Sequence, residues 1–114
     1  MDIEWIQFVE TGVFTRLVGR HHLEGALREL QLELVENPTA GDVDPGTGGL
    51  RKVRMPDPSR NKGKRAGVRV HFLWLPRRKR IYLLHLYTKA ERDTLTLDQK
   101  SALRQIVRKI KEMA

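Results

Sequence analysis

The chain has 114 residues, 22 Lys+Arg against 14 Asp+Glu, a net charge of +8 and no cysteine. That length suits one domain with one modest core, and the missing cysteines exclude disulfides, thiolate catalysis and Cys-ligated zinc or iron–sulfur sites. No window approaches the roughly 18 apolar residues of a membrane span, and the acidic start Met1-Asp2-Ile3-Glu4 lacks a basic n-region and an apolar h-region, so one cytoplasmic domain over residues 1–114 is expected.

In chain order, residues 3–8 read as a short strand closed by Glu10-Thr11-Gly12, and residues 14–20 begin a helix. Residues 23–36 form the clearest helix: Leu23, Ala26, Leu27, Leu30 and Leu34 recur at i, i+3, i+4 and i+7. Asn37-Pro38 ends it, because proline drives the preceding residue out of the α region. Residues 37–49, rich in Gly, Pro, Asp and Thr, are a loop by composition. Strands follow at 50–55, 67–75 and 80–87, separated by a basic loop at 56–66 and a turn at 76–79. Hairpin connection makes them antiparallel. A helix over 97–113 starts from a Thr96/Gln99 capping box and carries Leu103, Ile106, Val107 and Ile110 on its apolar face. The order β-α-α-β-β-β-α predicts an α+β fold, a small antiparallel sheet packed by N-terminal and C-terminal helices.

The charge is uneven. Residues 1–50 carry three basic and nine acidic side chains (net −6), 51–80 carry twelve and one (+11), and 81–114 carry seven and four (+3). A concentrated basic block attracts polyanions, since Lys and Arg release the counterions condensed on phosphates. Strand alternation sorts this block by face. Val53 and Met55, then Val68, Val70, Phe72 and Trp74, then Tyr82, Leu84 and Leu86 are predicted to face the helices. Lys52, Arg54, Arg69, His71, His85 and Tyr87, with Lys89 continuing the parity, are predicted to share an open polar face. Such a face suits phosphoryl chemistry on RNA. One group takes the proton of a 2′-hydroxyl, another protonates the leaving 5′-oxygen, and cations stabilise charge growing on the phosphate, with no metal required. Two histidines without carboxylates on the same face leave a zinc shell short.

Three runs then stand out: 42–54 (Asp-Val-Asp-Pro-Gly-Thr-Gly-Gly-Leu-Arg-Lys-Val-Arg), 62–70 (Lys-Gly-Lys-Arg-Ala-Gly-Val-Arg-Val) and 81–91 (Ile-Tyr-Leu-Leu-His-Leu-Tyr-Thr-Lys-Ala-Glu). In this order, and followed by Asp93-Thr-Leu-Thr and an amphipathic helix, they resemble the HigB branch of the RelE-like bacterial toxins over residues 14–112. The resemblance implies a RelE-like fold and the toxin of a type II toxin–antitoxin system. Such a toxin is a metal-independent, ribosome-dependent mRNA endoribonuclease, neutralised by a HigA-like helix-turn-helix antitoxin. By the resemblance, the catalytic basic positions fall on Lys52, Arg54, Arg69 and Lys89. The chain departs from the RelE branch at Ala90, where that branch has an arginine, and at Thr96, near its C-terminal tyrosine. His85, Tyr87, Lys62, Lys64 or Arg65 then remain as candidates for the general base. Arg51, Lys62, Lys64, Arg65, His71, Arg77, Arg78, Lys79 and Tyr87 are the expected contacts to RNA and ribosome. No cofactor is expected. A same-fold toxin acting on gyrase, as in the ParE branch, and a non-catalytic RNA- or ribosome-binding module are the alternatives.

Overall fold

The computed structural model describes residues 5–58, 67–89, 91 and 94–114. Its elements are β1 (Gln7–Glu10), α1 (Gly12–Arg20), α2 (Glu24–Glu36), β2 (Asp42–Val43), β3 (Arg51–Met55), β4 (Val68–Leu75), a 3-10 turn (Pro76–Arg78), β5 (Arg80–Thr88) and α3 (Leu97–Met113). They form an α+β domain around one five-stranded sheet of order β1-β5-β4-β3-β2.

The five leucine-stripe positions expected of α2 are all buried. The helix stops at Asn37, whose N–H still bonds the Glu33 carbonyl. α3 begins at the capping box read from sequence: the Gln99 N–H donates to Thr96 Oγ1 (3.1 Å) and the Thr96 N–H to Gln99 Oε1 (3.0 Å). Thr96 is therefore committed to a helix end.

Three expectations are corrected. The first strand lies at Gln7–Glu10 rather than 3–8, and residues 1–4 are outside the described part. The sheet is mixed, not purely antiparallel, because β1 runs parallel to β5. Its β1 edge joins through a crossover containing α1 and α2, and a parallel neighbour requires such a connection. The short β2 adds a further antiparallel edge within the stretch read as loop.

The third correction concerns the faces. Helices cover both. On one side, α1 and α2 enclose Phe14, Leu23, Leu30, Leu34, Met55, Val68, Val70, Phe72, Ile81, Leu83 and Leu86. On the other, α3 lays Leu103, Val107 and Ile110 against Leu50, Leu73, Leu84 and Tyr87. Fully burying such a side chain contributes about 1.5–3 kcal/mol, so an amphipathic helix of this length requires a covering surface. Ile106, expected on the same stripe, remains 40% exposed at its margin.

A β-bulge explains why simple alternation misplaced β5. Phe72 pairs with Leu83 but His71 pairs with His85, so Leu84 is the extra residue. Before it, Ile81 and Leu83 face α1 and α2 while Tyr82 and Leu84 face α3; after it, Leu86 faces α1 and α2. Tyr82, Leu84 and Leu86 therefore do not share a face. A bulge frees a backbone carbonyl from the ladder. Here the Thr11 hydroxyl donates to the Leu84 carbonyl (2.8 Å) while accepting the Phe14 N–H (3.1 Å), capping α1 with the same oxygen.

Candidate functional site: two rows of cations across the sheet

Register brings the expected polar residues together in two rows on the α3 side. Lys52 pairs with His71, which pairs with His85; Arg54 pairs with Arg69, which pairs with Tyr87. Lys89 follows in the turn after β5, exposed. That turn is closed by Glu91, whose carboxylate accepts the Thr88 N–H (3.2 Å) and the Thr88 hydroxyl (3.0 Å). The shared face read from alternation is thus present for these residues.

Openness is a different matter. His71 is fully buried, Tyr87 is 2% exposed and Arg69 is 3% exposed. His71 and Tyr87 are therefore corrected from RNA-contacting surface to interior groups, because α3 and the loop before β3 occupy the space above them. Their rings lie 5.7 Å apart with an interplanar angle of 30°. The His85 ring is 6.0 Å from Tyr87 and half-buried. Arg69 is part of the floor, with one guanidinium nitrogen donating to the Gly67 carbonyl (2.9 Å). Lys52 is half-buried, and Arg54 is exposed.

The other expected contacts divide. Arg51 donates to the Thr39 (2.9 Å) and Gly41 (3.1 Å) carbonyls, so its charge fastens the α2–β2 loop and is corrected from a free RNA contact. Arg77 and Arg78 are exposed and Lys79 is half-buried, in a turn at the far end of β4. That turn begins seven residues beyond Arg69, roughly 23 Å along the strand. It therefore belongs to a different surface from the two rows. Lys79 adopts a left-handed conformation there, and Arg78 bonds the Ala114 carbonyl. Lys62, Lys64 and Arg65 lie outside the described residues, as do Ala90 and Asp93.

Sequence reasoning missed two residues, Asp44 and Lys100. Asp44 Oδ2 is 2.8 Å from His71 Nε2, and Asp44 Oδ1 is 3.0 Å from Lys100 Nζ on α3. A carboxylate therefore does stand on the face where none was expected, engaged by an imidazole and an ammonium. Burial alone would raise the Asp44 carboxyl, but the hydrogen bonds and charge from His71 and Lys100 outweigh it and hold the group below its usual value. Burial is also the main influence on His71 and lowers it below 6.5, against the opposing pull of Asp44. His71 is then neutral at neutral pH, and its Nε2–H is the donor to Asp44.

The Gly-rich loop delivers Asp44. The Thr47 hydroxyl donates to the Asp44 carbonyl (2.7 Å) and accepts the Leu50 N–H (3.1 Å), closing a tight turn. Cations spaced along α3 then fasten it. Lys100 donates to the Pro45 carbonyl (3.0 Å), Arg104 to that of Gly46 (3.0 Å) and Lys111 to that of Gly48 (2.9 Å). Gly48 has φ +82°, and an added Cβ would sit 3.3 Å from Val107 Cγ1, so glycine serves both the turn and the close approach to the helix. Composition alone reads this segment as a loop because the contacts that dock it on α3 are distant in sequence.

Among the described residues, no group of three or more His, Cys, Asp or Glu side chains is arranged to hold a metal ion. No helix of the described residues is long and apolar enough to cross a membrane. No family model matches the chain.

Proposed function

We propose that this chain is a RelE-like toxin of the HigB branch, a ribosome-dependent mRNA endoribonuclease held in check by a HigA-like helix-turn-helix antitoxin. The observation that carries this reading is the second row. Arg54 and Arg69 stand directly opposite each other on adjacent strands, with Lys89 at the end of the next one. Three basic residues and a half-buried histidine on one sheet face, with exposed Lys89 in the turn just beyond it, fit the recognition of a phosphodiester. The motif order quoted above adds the resemblance.

In this reading Arg54 and Lys89, both exposed, approach the scissile phosphate, and Arg69 supports them from the floor. The 2′-oxygen loses its proton and attacks phosphorus. The O2′–P bond forms, the P–O5′ bond breaks, and the 5′-oxygen leaves with a proton. Charge developing on the non-bridging oxygens is met by the fixed cations, whose effect is greatest where water is scarce. His85 and Lys52, each half-buried beside the phosphate row, are the groups offered for proton transfer. The exposed turn arginines Arg77 and Arg78, on their separate surface, are offered for ribosomal RNA.

Primer extension on mRNA from expressing cells tests the reading. New 5′ ends within translated frames are expected. Intact mRNA with blocked translation would replace the nuclease by a binding module, and intact mRNA with inhibited supercoiling would replace it by a gyrase inhibitor.

A further inference from the structure

We infer that Asp44 is a positioning residue for the cationic site, acting through His71; the inference rests on the nuclease reading above. Asp44 meets the first row only at its buried middle member. It reaches the fully buried His71 from the loop before β3, at 2.8 Å, and is itself tied to α3 by Lys100 at 3.0 Å. A carboxylate can only accept, so the pairing fixes the proton on Nε2. Nδ1 is then a lone-pair nitrogen, buried and without a hydrogen-bond partner among the described residues.

The choice of tautomer matters because of what surrounds the ring. Lys52 is its cross-strand neighbour on β3, and His85 is its neighbour on β5. Tyr87 stacks on it, Lys100 faces it from α3, and Asp44 faces it from the loop. Of these, Asp44 is the only acidic group. With Nε2–H turned to Asp44, the row reads cation, neutral ring, histidine. Lys52, its cross-strand neighbour, then stands beside a neutral ring instead of a second cation. The stack also holds the Tyr87 ring, which stands beside Arg69 in the phosphate row. An uncharged amide at position 44 can either accept from Nε2–H or donate to Nε2, so it no longer selects one tautomer. Loss of the correct tautomer with geometry preserved is a known way to lose turnover without losing binding.

The test combines imidazole ¹⁵N spectra of the full chain with cleavage kinetics on programmed ribosomes. Wild type is expected to show His71 neutral with the proton on Nε2; a proton on Nδ1 overturns the inference. Asp44→Asn is expected to populate the Nδ1–H form and to lower kcat about tenfold or more, with KM within about twofold. Lys100→Met removes the helix tie but leaves the carboxylate, so tautomer and most of kcat are expected to survive. Equal losses in the two variants would mean that only loop docking matters, which overturns the positioning role. So would a changed tautomer with unchanged kcat. Asp44→Glu keeps an acceptor and is expected to recover the Nε2–H form and part of the rate. Equal failure of Glu and Asn also overturns the inference. A wild-type chain that cuts nothing removes the nuclease reading and this role with it, whereas a cutting wild type with an unaffected Asp44→Asn removes this role alone.

Discussion

The two cross-strand rows are neighbours on one sheet face, two residues apart along each strand, and each has a buried middle member, yet the two middles are answered differently: His71 by a carboxylate, Arg69 by the Gly67 carbonyl. The row Lys52–His71–His85 passes beneath α3, where its middle member has no exposure and is answered by a carboxylate. The row Arg54–Arg69–Tyr87 lies nearer the strand ends, where Arg54 is exposed and Lys89 follows in the open. Both rows therefore have a buried middle, His71 and Arg69, but the β3 member is half-buried Lys52 in the first and exposed Arg54 in the second. α3 covers part of both, since Tyr87 packs with Leu103, Val107 and Ile110, and the open part of the second row is its β3 member, Arg54. A buried ionisable group is tolerated only with a partner, whereas an exposed guanidinium requires none.

Substitutions in the two rows should therefore fail differently. The largest contrast is expected between Arg54→Ala and His71→Ala. Arg54→Ala should lower cleavage by about 100-fold, the scale of losing one charge-stabilising group. Its unfolding midpoint should stay close to wild type, because exposed positions contribute little. His71→Ala should cost on the order of 3 kcal/mol in denaturant unfolding, by opening a cavity and leaving Asp44 and Lys100 without the ring between strand and helix. A stable His71→Ala chain, or an Arg54→Ala chain that cuts normally, would erase the distinction.

A smaller effect is expected from pH. His71 is held below 6.5 when folded, so the unfolded chain binds a proton that the folded chain refuses. Stability contributed by the neutral ring is full above 6.5 and declines as pH falls from there through the lowered value. Asp44, held below 3.8, adds a second decline at more acid pH, since its stabilisation is lost as the carboxylate is protonated. Thermal midpoints recorded from about pH 7 down to about pH 5 should fall, and a His71→Gln chain should show a flatter slope. An equal slope in both would assign the acid sensitivity elsewhere.

The smallest effect lies away from both rows. Neutralising Arg77 and Arg78 together should reduce the salt dependence of ribosome binding by about two in log–log slope, with the cleavage step unaltered. An unchanged slope would remove the turn from the surface proposed for ribosomal RNA.

Much of this arrangement was legible in the residues. Helical spacing located α2 and α3 within a residue, Thr96 and Gln99 announced the cap, and alternation in β3 and β4 grouped Lys52, Arg54, Arg69 and His71 correctly. The errors share a physical origin in nonlocal contacts. Alternation across β5 broke at Leu84, where the bulge is supported by Thr11, 73 residues earlier. The open face was an inference from strand pattern, but burial there is decided by where α3 docks. Asp44 carried no periodic signal, since it reaches His71 27 residues away through a turn held by Thr47. Arg51 looked like one more cation in a basic block, and only the carbonyls of Thr39 and Gly41 reveal its employment.

The fastening of the Gly-rich loop along α3 has a consequence in time. Its ties join residues 45–48 to residues 100–111, separations of 55 to 63 positions. Contacts so distant in sequence form late, because the intervening chain must be closed first. Synthesis runs from the N-terminus, and α3 follows all five strands. A growing chain that has already made its sheet therefore still has His71 uncovered and Asp44 unfastened. Under the proposed function, the ribosome making this protein faces an unfinished nuclease until α3 has emerged and docked.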